Sequence, residues 1–208
     1  VRTLPLVLHG ASGVALGVME GMDFDDLEDR LTPGDTLLCY TDPRRFGLLT
    51  LCPSEKLASH PLLKDLGIEP LSTDLTPRFL KDQLSRKQVP IKVALLDQAL
   101  IVGIGNIYAS EILFRAHISP LRLASSLTTQ EHSALCKSIP AILTRAIEAG
   151  GSTLRDYVQA DGELGSFQNL FAVYDREGAP CQTRGCGAAI QRTVQAARAT
   201  YFCPSCQR

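Results

Sequence analysis

No apolar run in this 208-residue sequence is long enough to cross a bilayer, and no basic-plus-apolar leader opens it. These absences exclude a helical membrane span and lead to the expectation of a reducing, cytoplasmic setting. There cysteine serves as a small buried thiol or a metal ligand rather than as a disulfide framework. Internal repeats and low-complexity tracts are also lacking, which excludes solenoid and fibrous architectures. Nor is there an excess of either charge: 21 Lys and Arg stand against 22 Asp and Glu, for a net charge of −1. The total gives no hint of a polyanionic partner, but it conceals an uneven distribution. Residues 23–29 hold Asp23, Asp25, Asp26, Glu28 and Asp29, whereas residues 78–92 hold Arg78, Lys81, Arg86, Lys87 and Lys92 against Asp82 alone. The tail adds Arg176, Arg184, Arg192, Arg198 and Arg208.

What is present is concentrated at the C-terminal end. CQTRGC at 181–186 and CPSC at 203–206 are two close cysteine pairs. Thiolates a few residues apart on one turn can meet a tetrahedral Zn²⁺, and a second such turn completes the site. Cys181, Cys186, Cys203 and Cys206 are therefore the candidate ligands of one structural zinc, with two disulfides as the alternative. Residues 188–202 between the pairs carry Ile190, Val194, Tyr201 and Phe202 amid polar residues, which predicts a β-hairpin pinned by the metal. About 30 residues cannot bury enough core to fold alone, so the metal supplies folding energy. Cys39, Cys52 and Cys136 remain as small buried thiols.

Upstream, residues 1–51 read as short strands and turns, part of a β-domain rather than a whole one. From about Ser72 the period becomes helical. Thr76 and Pro77 predict a capped helix with Phe79, Leu80 and Leu84 on one face. Pro90 starts a second helix, apolar on most faces and so well buried. A glycine-broken turn at 102–105 opens a third, from Asn106 to about Ala116. Thr128 and Glu131 form a capping-box pattern at the head of a long helix that ends at Gly150 and Gly151, with a kink expected at Pro140. Residues 154–175 are looser.

Three constellations carry possible chemistry. Gly103 and Gly105 before a helix start let backbone N–H groups crowd an anion, with Asn106 adding a donor and Lys87 and Lys92 upstream; a plain turn is the alternative. Arg44 and Phe46 in a turn suit insertion into a disturbed duplex, or else are a packed ring and a solvated charge. Arg198 on the hairpin suits a phosphate contact, or is a solvated charge.

Together and in this order, these pieces resemble the bacterial formamidopyrimidine-DNA glycosylase family. The matching stretches are YTDPRRFG at 40–47, LGIEPL at 66–71, PIKVALLD at 90–97, VGIGNIYASE at 102–111, GGSTLRD at 150–156, VYDREG at 173–178 and the four-cysteine tail. The resemblance covers residues 31–208, and it is the ordered set that is specific. It implies an α+β fold: a partial N-terminal β-sandwich over residues 1–71, a helix–two-turns–helix domain with a lesion-recognition loop over 72–175, and a zinc finger over 176–208. It implies base excision and abasic-site (β,δ-elimination) lyase chemistry on double-stranded DNA carrying oxidised purines or abasic sites, by a monomer associated with the nucleoid. Gly105 and Asn106 match the phosphate-binding turn, and Lys87 and Arg44 match DNA-contacting positions. Arg44 and Phe46 match two members of the wedge that fills the gap left by a flipped base. Arg198 matches the zinc-finger arginine that grips phosphate and assists δ-elimination, and residues 160–168 match the loop over the everted base.

The same resemblance marks departures. In the family a terminal proline amine attacks the sugar C1′ and a neighbouring glutamate acts as acid and base. This chain opens Val1-Arg-Thr-Leu and carries no such motif. A catalytic lysine of the sandwich has no counterpart. The family's His-Leu-Gly-Met-Ser-Gly turn is matched at best by LHGASG at 8–13, a DNA-contacting His falls near Asp25, and Ser166 stands where a Tyr precedes Phe-Gln. The expectation drawn from these is a chain that keeps the DNA grip with glycosylase activity near background. The alternatives are a non-catalytic, zinc-dependent DNA-binding remnant and an unstable fragment with exposed strand edges. Endonuclease VIII is the nearest alternative in specificity, but the 40–47 turn and the long 159–168 loop favour the purine enzyme.

Overall fold

The computed structural model describes residues 52–152 and 165–208. The expected opening strands, the 8–13 turn, Cys39, Arg44, Phe46 and most of the 160–168 loop lie outside the described residues. The chain divides into two compact units, Val1–Lys56 and Leu57–Arg208, and the second carries the helices and strands described here.

That unit begins earlier than the boundary at residue 72 expected from the sequence. The reason is a parallel bridge between Ile68 and Ile101. Gly67 N–H donates to the Gln98 carbonyl at 2.8 Å and Val102 N–H to the Ile68 carbonyl at 3.1 Å. The backbones approach so closely that a Cβ on Gly67 would sit 2.3 Å from the Leu100 carbonyl, so only glycine fits.

Four helices follow. Helix α1 spans Pro77–Leu84, with Thr76 as its N-cap accepting from the Phe79 amide at 3.1 Å and Pro77 in the first turn, as its sequence predicts. Helix α2 is the short Ile91–Leu95 segment, and its Ile91, Ala94 and Leu95 are fully buried. Helix α3 spans Asn106–Arg115. Helix α4 spans Thr129–Glu148 behind a complete capping box, in which Thr128 and Glu131 satisfy one another's backbone amides. It runs unbroken through Pro140 and ends where the Gly150 and Gly151 amides return to the Ile147 and Ala146 carbonyls. Helices α1 and α3 both pack on α4, burying Leu80, Leu84, Ile112, Leu113, Leu135, Ile139 and Ile142. At roughly 25 cal/mol per Å² of apolar surface removed from water, this core is the main source of stability.

The hairpin pairs β1 (Gln191–Gln195) with β2 (Arg198–Phe202) antiparallel, with Gln195 opposite Arg198. Its two-residue turn places Ala196 and Ala197 at φ 47° and 60°. Two left-handed residues give the twist that a tight hairpin needs, although alanine adopts that region less readily than Asn or Gly. The finger is docked firmly on the helices. Tyr108, Phe167, Phe171, Tyr174 and Tyr201 form a continuous aromatic file from α3 to β2, with successive ring centroids 5.1 to 5.7 Å apart. Gln207, 3% exposed, accepts from the Cys203 amide and donates to the Ile118 carbonyl, tying the second cysteine turn to the segment after α3.

Candidate nucleic-acid interface

The four cysteines meet as the spacing predicts. Their Sγ atoms all lie within 4.8 Å of one another, with Cys181 and Cys206 at 3.8 Å and Cys186 and Cys203 at 3.7 Å. No disulfide joins them at these separations. A tetrahedron of thiolates about 2.3 Å from Zn²⁺ has edges of about 3.8 Å, which these two pairs match, so the donor set suits one structural zinc. Electrostatics point the same way. The Ala188 amide beside Cys186 draws its thiol down to about 7. Against a hydrogen bond from Thr183 that lowers it, burial and the neighbouring sulfurs push Cys206 up to about 12. The neighbouring sulfurs oppose ionisation of Cys203 and Cys206, and a divalent cation relieves that opposition.

The glycine-broken turn presents an open helix end. Gly103 has φ +83°, a region that disfavours side chains. Gly105 is the N-cap of α3, with extended backbone and no side-chain cap. Both glycines are exposed, and a Cβ on either would meet nothing within 4 Å. The first amides of α3 thus face open space with the positive end of the helix dipole behind them. Asn106, the first helical residue, is half-buried and reaches across to the zinc hairpin: its Nδ2 donates to the Ala199 carbonyl at 3.0 Å.

Lys92 completes this junction in a way the sequence did not foretell. It is fully buried, not presented to solvent. Its Nζ donates to Asn106 Oδ1 at 2.6 Å, to the Ala199 carbonyl at 2.8 Å and to Thr200 Oγ1 at 2.7 Å. Three acceptors use all three ammonium hydrogens. The Thr200 hydroxyl donates to Gln195 Oε1, and Gln195 Nε2 donates to the Pro120 carbonyl. Burial and the nearby Arg198 guanidinium pull the Lys92 ammonium down from 10.5 to about 8. The expected direct contact of Lys92 with a phosphate is therefore replaced by an indirect role: it fixes the turn and the hairpin to one another.

Arg198 is exposed at the start of β2, one residue before the carbonyl that Asn106 and Lys92 share, and makes no ion pair among the described residues. Gly105, Asn106 and Arg198 are thus brought to one surface. Lys87 is engaged elsewhere: its Nζ lies 2.7 Å from Asp97 Oδ2, and this hydrogen bond holds the Asp97 carboxyl below its usual range. Glu111 is another residue the sequence did not single out by role. It is 2% exposed, and its carboxylate accepts from the Ala172, Val173 and Tyr174 amides at 2.9 to 3.0 Å, anchoring the approach to the zinc finger on α3. Of residues 160–168, Ser166 is exposed and Phe167 is buried against Tyr108.

Comparison with known proteins is consistent with this layout. The formamidopyrimidine-DNA glycosylase H2TH domain matches residues 66–158, and the zinc finger found in FPG and IleRS matches residues 178–208. A formamidopyrimidine-DNA glycosylase of Chelativorans sp. is 48% identical over 181 residues, covering 84% of this chain and 61% of the relative. The crystal structure of the MutM (FPG) protein of Thermus thermophilus superposes with a TM-score of 0.72 at 47% identity, over 80% of this chain and 62% of that one. The Lactococcus lactis Fpg in complex with abasic-site DNA superposes with a TM-score of 0.68 at 37% identity, over 74% and 56%. The chain thus spans about three fifths of the length of the curated relatives it matches.

Proposed function

The chain belongs to the formamidopyrimidine-DNA glycosylase family, and we propose that it acts in base-excision repair on damaged duplex DNA, with residues 57–208 supplying the grip on the lesion strand. The observation that carries this is the junction of Gly105, Asn106 and Arg198 around buried Lys92. An open helix end and an unpaired guanidinium meet at one surface, as a backbone phosphate requires. Arg198 holds that phosphate and supports elimination at the abasic sugar; Asn106 and the α3 amides hold it from the other side. Lys92 acts as a positioning residue. Lys87 joins the grip only if a phosphate draws it from Asp97. Arg44 and Phe46 fill the space left by an everted base, on the strength of the resemblance. Structural Zn²⁺ holds the hairpin that carries Arg198 and supplies no other chemistry. The substrates are duplexes with oxidised purines or abasic sites, met in the cytoplasm at the nucleoid. Relatives of about half identity bear the glycosylase name, which weighs against a purely non-catalytic binding module.

The reading is tested by titrating the chain with a duplex containing a stable abasic-site analogue and with the undamaged duplex, across a range of salt. Preference for the damaged duplex, with an affinity that falls steeply with salt and less steeply in Arg198→Ala, supports it. Equal affinity for both duplexes, or a salt slope unchanged by Arg198→Ala, overturns it.

A further inference from the structure

We propose that the cleft between the C-terminal half of α3, the middle of α4 and residues 167–172 is a docking site for an acidic peptide segment of another protein that carries an apolar anchor residue. The cleft has a volume of about 490 Å³. Its floor is apolar, built from Phe114, Ile142, Phe167 and Leu170, and Leu170 is 46% exposed. Its rim is cationic, with Arg115, Lys137 and Arg145 all exposed.

Two features set these cations apart. First, they make no ion pair among the described residues. The ion pairs among the described residues are Arg78 with Asp82, Lys87 with Asp97, Arg122 with Glu131 and Arg192 with Glu177, and none lies in the cleft. The one carboxylate in the lining, Glu111, is committed to three backbone amides. Second, Arg115 lies away from the phosphate-binding junction. Arg115 is nine residues beyond Asn106 on α3, about 13 Å along the axis and about half a turn around it at 1.5 Å and 100° per residue. The DNA grip therefore does not account for Arg115.

Charge complementarity selects an anionic occupant, and the apolar floor selects among anions. A duplex backbone has nothing to bury there, whereas an acidic peptide with one Phe or Leu places carboxylates on the rim and its side chain on the floor. A buried anchor within a polar rim is the usual anatomy of a small protein interface.

The test uses the full chain with zinc bound. A labelled peptide of about eight residues, mostly Asp and Glu with one Phe, is titrated beside a same-charge peptide with Ser in place of Phe. Each titration is run with and without a short duplex. The Phe peptide is expected to bind about tenfold tighter than the Ser peptide, whether or not duplex is present, and about tenfold more weakly to Arg115→Glu/Lys137→Glu. Duplex affinity should be unchanged in that variant. Arg115→Gln/Lys137→Gln, which introduces no repulsion, should weaken the peptide in the same direction. Equal binding of the two peptides shows diffuse charge attraction and overturns the proposal, as does no saturable binding. Competition by the duplex, or loss of duplex affinity in the variants, identifies the surface as a nucleic-acid contact and overturns it as well.

Discussion

The ammonium of Lys92 donates to Asn106 Oδ1 at 2.6 Å, joining the helical domain to the zinc hairpin by a cation that solvent does not reach. The same ammonium holds the Ala199 carbonyl that Asn106 Nδ2 also contacts, so turn and hairpin share one hub. A phosphate bound between them would meet groups already fixed relative to one another, which is where preorganisation gains affinity.

Lys92→Met separates the role of this hub in binding from its role in folding. The substitution leaves Asn106 Oδ1 without its donor but also removes a buried charge, and these effects oppose each other. Stability in urea should therefore change by no more than about 1 kcal/mol. Duplex affinity should fall about tenfold, because the turn and the hairpin lose their common anchor. The pH dependence follows from the ammonium held at about 8. Below that value Lys92 is charged and the grip is complete; above it the charge is lost and duplex affinity declines. Folding stability from this group moves oppositely. Between about 8 and 10.5 the unfolded chain binds more protons than the folded one, so stability rises with pH. Salt-matched anisotropy titrations across this window check both, and the alkaline decline should be absent in Lys92→Met.

Removal of zinc should cost the hairpin its shape. Cys181, Cys186, Cys203 and Cys206 would be left as crowded thiols, with Cys206 pushed up to about 12 and resisting ionisation. Chelation should therefore cause loss of near-ultraviolet signal from Tyr201 and Tyr174, which pack at 5.1 Å. Duplex affinity should fall with it, and added Zn²⁺ should restore both. Because binding zinc displaces protons, zinc should leave more easily as pH falls. Zinc content against pH, measured in Cys203→Ser and in the parent chain, checks this.

His132 offers a stability test apart from the interface. It is 4% exposed on α4, and neither ring nitrogen makes a well-formed hydrogen bond among the described residues. Burial holds its imidazole below the usual 6.5, opposed in part by the Thr128 carbonyl and Glu131. Its folded-state pKa lies below the unfolded one, so the unfolded chain takes up the extra proton and stability falls as pH drops through 6.5. His132→Leu should remove this acid sensitivity and raise stability at low pH. Urea midpoints on either side of that value decide the matter.

The legible parts of this chain were those with local causes. Thr76 with Pro77, Thr128 with Glu131, and the paired cysteines each write their structure within a few residues, and each formed as read. The hairpin too was visible, though not its Ala196-Ala197 turn, which lacks the glycine that such a turn favours. What was not legible depends on partners far along the chain. Lys92 meets residues 107 and 108 positions away, and Glu111 meets amides 61 to 63 positions away. A cation beside a basic run reads as a surface charge until its acceptors are known. The link of Ile68 to the helical unit is equally hidden in sequence, because it runs through a bridge to Ile101. Lys87 and Arg198 looked alike in sequence, and only their surroundings distinguish the cation paired with Asp97 from the one without an ion pair among the described residues.

The most direct test of the account is a double-mutant cycle on the phosphate grip. Duplex carrying an abasic-site analogue is titrated with the parent chain, Asn106→Ala, Arg198→Ala and the double variant, with zinc content checked in each. If both residues hold one phosphate, each single substitution lowers affinity about tenfold and the double loses little more, a coupling of about 1 kcal/mol. Fully additive losses, or single variants that bind like the parent, would contradict a shared phosphate site at the junction of α3 and the zinc hairpin.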